Sequence, residues 1–138
     1  MIVFLSCTKS KNKGEYKAKD LYSSPLFKKS YQYAKSLNPD NIYILSAKYG
    51  LLELDDIISD YEETLNSKSD RHIKQWSYNV CKQLESKGVC YNEDIIFLTG
   101  ENYHKYIKLK FRNKKIPLQG LALGQRLQRL NQLNNITK

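Results

Sequence analysis

Ser6-Cys7-Thr8-Lys9-Ser10-Lys11 gathers hydroxyls, a thiol and two ammonium groups in six consecutive residues. Lysines such as Lys9 and Lys11 grip phosphate as point charges, and hydroxyls donate to phosphate oxygens or to a base edge. Cys7 would need a neighbouring base to become a nucleophile; no histidine is local, so it reads first as a small buried residue. Two later clusters have the same character, Ser46-Ala47-Lys48-Tyr49-Gly50 and Thr99-Gly100-Glu101-Asn102-Tyr103. Gly50 and Gly100 allow a ligand to approach the backbone closely. Tyr49, with Tyr22 and Tyr103 behind it, offers a ring face on which a base could stack. Glu101 is a carboxylate of the kind that activates water or stabilises a cationic sugar.

Each cluster follows a short apolar run: Ile2-Val3-Phe4-Leu5, Ile42-Tyr43-Ile44-Leu45 and Ile95-Ile96-Phe97-Leu98. Continuous apolar runs of this length fit strands buried on both faces, as in a parallel sheet. Between them lie helical patterns. Ser24-Pro25 is an N-cap followed by proline at the first helical position, with Phe27, Tyr31, Ala34 and Leu37 at helical spacing and an end near Asn38-Pro39. Ile73, Trp76, Val80 and Leu84 mark a longer helix that ends before Gly88, with Trp76 in the core and His72 exposed in its first turn. A short helix is expected over Tyr103 to Leu109. A last one has Leu123, Leu127 and Leu130 on its apolar face and Arg126 and Arg129 on the other. The segment from Cys7 to about Asp20 reads as a polar loop.

Alternating strands and helices predict one α/β domain over residues 1–138, a three-layer sandwich with a mainly parallel sheet. Ligands of such sheets bind beyond the carboxyl ends of the strands, where the three clusters fall. The separation of His72 and His104 argues against a histidine pair, and His104, beside the third cluster, could protonate a leaving group but is not counted among the site residues.

The net charge of +9 is unevenly spread. Residues 1–50 carry nine bases and three acids, residues 51–100 five and ten, and residues 101–138 nine and one. Basic ends around an acidic middle point to a polyanion, nucleic acid or nucleotide, held near carboxylates. Six acids and no base lie between Glu53 and Glu63. Three cysteines without C-x-x-C spacing support neither a disulfide framework nor a zinc site, and no cofactor is expected. The 41% apolar content excludes disorder as the main state. No apolar run approaches the ~20 residues of a membrane span, and no signal-peptide pattern is present, so a cytoplasmic location is expected.

Cys7-Thr8-x-x-Lys11, Ala18-x-x-Leu21-Tyr22-x-Ser24-x-x-Phe27 and Leu45-Ser46-Ala47-Lys48-Tyr49-Gly50-Leu51 resemble the pattern of a family of small bacterial and phage proteins of unknown function. Asp55, Tyr61-x-x-Thr64-Leu65, Pro117-Leu118-x-Gly120-Leu121 and Gly124-x-Arg126-Leu127 continue it over nearly the whole chain. More distantly, the chain is similar to the peroxide-stress protein YaaA and to the core domain of archaeosine synthase, which resembles uracil-DNA glycosylases in fold. The resemblance implies a uracil-DNA-glycosylase-like domain that handles DNA or bases. It singles out Asp55 and Tyr61 within the acidic stretch. The water-activating motif and late-loop histidine of uracil-DNA glycosylases are absent from the sequence. Cleavage or exchange of an N-glycosidic bond would then use Asp55 or Glu101, with Lys11 or Lys48 on phosphate, Tyr49 on the base, and Ser6, Thr8, Ser24, Ser46, Tyr22 and Arg126 among the binding residues. A non-enzymatic DNA-binding or stress protein, or a phage or host interaction protein that caps an acidic partner, is the alternative.

Overall fold

The computed structural model describes residues 1–136. A mixed five-stranded sheet has the order β4-β3-β1-β6-β7, formed by Gly50–Glu53, Asn41–Ser46, Ile2–Ser6, Asp94–Leu98 and Asn113–Lys115. β1 pairs in parallel with both β3 and β6, β6 pairs in parallel with β7, and only β4 runs antiparallel. A separate antiparallel ribbon joins β2 (Glu15–Lys17) to β5 (Ile57–Ser59).

The three apolar runs are the three central strands, as their composition requires. Val3, Phe4 and Leu5 are fully buried. Register sets Phe4 opposite both Tyr43 and Phe97, and their rings stack across the sheet at 6.0 and 5.2 Å between centroids. α1 (Ala18–Leu21) precedes α2 (Pro25–Ser36), whose Ser24 cap accepts the Phe27 N–H at 3.2 Å. α3 (Asp70–Ser86) starts on Ser69, which accepts the His72 N–H, and it buries Ile73, Trp76, Val80 and Leu84. His72 is exposed. α2 packs against β1 and α3 against β4. α5 (Leu123–Ile136) packs on α2. The carboxyl ends of β1, β3 and β6 therefore share one edge.

Several expectations change. The helix expected over Tyr103 to Leu109 is a single turn, α4 (Glu101–His104), followed by a 3-10 turn at Ile107–Lys110. The break coincides with Lys105 and Tyr106, whose side chains both reach across to Asp70 at the start of α3. Leu123 is exposed, because α5 meets α2 through its later turns, where Leu130 is buried and Asn131 and Asn134 bond Lys29. The loop from Cys7 to Asp20 contains β2, and the acidic stretch contains part of β4 and all of β5. No helix of the described residues is long and apolar enough to cross a membrane.

Candidate functional site

The connections leaving β1 and β6 diverge, one toward β3 and the other toward β7, and they open a crevice between the ends of these two adjacent strands. This is where doubly wound sheets hold ligands. Ser6 closes β1, and its Oγ accepts the Gly100 N–H at 3.1 Å, bridging the strand ends. Thr8 follows, held by the Ser24 hydroxyl at 2.9 Å, so the same serine that caps α2 also fixes the β1 loop. Ser6, Thr8, Thr99, Gly100 and Arg126 line a cavity of about 10 Å³ against Phe27, Ser30 and Leu118. That is room for about one water molecule. Arg126 is fixed there by its Nε, which donates to the Leu121 carbonyl at 2.9 Å. This is a different position from the solvent side of the last helix expected from its spacing.

Beside the crevice lies a set of phenols that sequence spacing alone does not show. The Cys7 thiol donates to the Tyr103 hydroxyl at 3.3 Å, and that hydroxyl also accepts the Leu65 N–H. Tyr22 and Tyr61 share a hydrogen bond of 2.6 Å, and Ser46 donates to Tyr61 at 2.7 Å. The Ser46 hydroxyl accepts in turn from the Lys48 and Tyr49 amides, and its carbonyl receives the Trp76 indole N–H. Burial raises the pKa of the Tyr22, Tyr61 and Tyr103 phenols well above the usual tyrosine range. They stay protonated and act as hydrogen-bonding groups, not as bases.

Lys11 lies over this set, its Nζ 4.4 Å from the centre of the Tyr61 ring. Burial lowers its pKa, partly opposed by Cys7 and by the carboxylates of Glu63, Asp60 and Glu62, which β5 brings back toward the edge. Tyr49 stands edge-on to Tyr61 at 5.5 Å and donates to the Ser59 carbonyl. Lys48 is exposed beside the Tyr49 ring. Gly50 turns the chain into β4 at φ +75°.

The two candidate carboxylates part company. Glu101 sits on the crevice edge with its Oε2 3.4 Å from His104 Nε2. His104 is buried, bonds the Thr99 hydroxyl through Nδ1 at 2.8 Å, and has its pKa lowered mainly by burial. Asp55 lies in the turn between β4 and β5, near the amino end of β3, sharing a groove with Asp40 and Asn41. It is exposed and ion-paired to Lys19 at 3.4 Å and Lys17 at 3.8 Å. The antiparallel course of β4 carries it away from Ser46, so the structure does not bring Asp55 to the crevice. Ser6, Cys7, Thr8, Lys11, Tyr22, Ser24, Ser46, Lys48, Tyr49, Gly50, Tyr61, Gly100, Glu101 and Arg126 all gather on the carboxyl edge.

No solved structure matches the chain. The chain is similar to an uncharacterized protein of Bacillus subtilis (strain 168), YfjM, at 29% identity over 123 residues, covering 86% of this chain and 80% of that protein. Residues 2–132 match the model of a family of unknown function, DUF6884, and the chain belongs to that family.

Proposed function

We propose that the protein binds a nucleotide or nucleic acid along the carboxyl edge of its sheet, and that Glu101 acts there on an N-glycosidic bond. The observation that carries this reading is the crevice between β1 and β6, where the hydroxyls of Ser6 and Thr8 and the guanidinium of Arg126 converge around one small cavity beside Gly100. These are donors suited to a phosphate or a base edge. The cavity is too small to enclose a base, so the phosphate lies across its mouth, with the base toward Tyr49 and Lys11 and Lys48 as point charges. The resemblance that the sequence motifs carry to YaaA and to the archaeosine synthase core, which implies a uracil-DNA-glycosylase-like fold, supports the same reading.

Glu101 has the surroundings for an acid or base step, being solvent-accessible, next to a neutral buried imidazole and close to the crevice. Asp55 has no part in this reading. Its distance from the edge favours a second reading, binding without turnover, in which the edge holds a strand and releases it unchanged.

A salt-dependent titration against single-stranded DNA, duplex DNA and RNA, with mass spectrometry of the same samples for released bases, tests both. Salt-sensitive binding with base release that is lost in Glu101→Gln supports the catalytic reading. Binding without release supports the second, and absence of binding to all three and to a nucleoside monophosphate titrated alongside them refutes both.

A further inference from the structure

α3 has a second face. Ile73, Trp76, Val80 and Leu84 point to the core, while Lys74, Ser77, Tyr78, Cys81, Lys82 and Glu85 fall at i, i+3, i+4, i+7, i+8 and i+11 along a flanking stripe that runs from buried Ser77 and Cys81 out to solvent. With Tyr106 and Lys110 this stripe walls a groove of about 320 Å³, within the range of small-ligand sites. The groove lies on the α3 face of the sheet, and none of the crevice residues line it.

The Tyr106 hydroxyl donates to Asp70, which also receives the Lys105 ammonium, so this ring is fixed in place. Tyr78 is 57% exposed, a large aromatic surface left open to solvent. An ammonium accompanies each ring: Lys74 Nζ is 5.5 Å from the Tyr106 centroid and Lys82 Nζ 5.2 Å from that of Tyr78. Lys82 and Lys110 make no ion pair among the described residues. The carboxylate in the groove, Glu85, is held by the Tyr91 hydroxyl at 2.7 Å. Ser77 is 3% exposed, and its hydroxyl has no hydrogen-bond partner among the described residues. A buried unpartnered hydroxyl is costly unless something completes it.

We propose that this groove is a second binding site, for a nucleoside phosphate, free or as one unit of a single strand. The planar base stacks against Tyr78 and Tyr106, and the phosphate sits among Lys74, Lys82 and Lys110. Ser77 supplies a hydroxyl at the groove wall. The assignment rests on the groove alone and does not require that the crevice bind anything.

Amide chemical shifts of the isotope-labelled full chain, titrated with thymidine monophosphate, oligothymidylate and inorganic phosphate, test the proposal. Saturable shifts at Ser77 to Lys82 and Tyr106 to Lys110 are expected with a nucleotide probe. Saturation by the monophosphate identifies a free nucleotide as a ligand, and a response to the oligomer alone identifies a strand. Tyr78→Ala should weaken this binding about tenfold, the loss of one base stack, while leaving the far-ultraviolet circular dichroism unchanged because its side chain is exposed. Lys11→Ala should leave the groove shifts intact. Shifts confined to Lys11, Gly100 and their neighbours would overturn the groove and leave the crevice reading standing. Equal shifts with inorganic phosphate would overturn it too, since lysines alone would then account for binding.

Discussion

Tyr61 is the residue on which the candidate site turns, because its hydroxyl joins Tyr22 to Ser46 in a buried chain that also organises the Lys48 and Tyr49 amides. Tyr61→Phe leaves two buried hydroxyls short of a partner and should lower stability by about 1–3 kcal/mol in denaturant unfolding. Tyr16→Phe, on an exposed ring, should change it little. His104 gives a separate prediction. Its pKa in the folded chain is depressed below 6.5, so on acidification the unfolded chain takes up the proton first. Stability contributed by the neutral imidazole is therefore complete above pH 6.5 and falls as the pH drops below it. In His104→Gln, that part of the loss below pH 6.5 should be absent from a series of unfolding curves.

Among the elements, the turn from β3 into β4 is the most constrained. Gly50 has φ +75°, and a Cβ there would lie 2.4 Å from the Gln83 Oε1 that accepts the Leu51 N–H at 2.8 Å. Gly50→Ala should cost about 2 kcal/mol, from the left-handed backbone and the displaced glutamine together. Because Gln83→Ala removes the same hydrogen bond, the double variant should be less destabilised than the sum of the two by about 1 kcal/mol, measurable as a double-mutant cycle. The central strands and the helices α2 and α3 were legible because burial writes itself into residue type: Ile2 to Leu5 and Ile95 to Leu98 are apolar since both faces of the sheet are covered. β2 and β7 were not legible, because Glu15-Tyr16-Lys17 and Asn113-Lys114-Lys115 are exposed and held by main-chain pairing, which leaves no apolar pattern. The gathering of Lys11, Ser46, Lys48 and Gly100 followed from their places after strands. The link from Cys7 to Tyr103, 96 residues away, and the departure of Asp55 depend on how chain segments return in space, and spacing does not encode that.

At the scale of the molecule, the distribution of charge decides which lysines a polyanion meets. Lys11 and Lys48 border the carboxyl edge, whereas register opposite Ile95 and Ile96 keeps Lys114 and Lys115 beside the earlier part of β6. In plots of log affinity for single-stranded DNA against log salt, Lys11→Ala should reduce the slope by about one. Joint Lys114→Gln and Lys115→Gln substitution should leave it nearly unchanged.

The central place of β1 has a further consequence for how the chain matures. This strand has β3 on one side and β6 on the other, so its five residues, made before the rest of the sheet, wait for a partner that ends at Leu98. During synthesis at ~5–20 residues per second, one flank of the sheet's middle strand stays open for several seconds. A nascent chain halted at Glu93 would carry α2, β3 and α3 yet expose Ile2 to Leu5 along a whole edge, a state that chaperones bind and proteases cut.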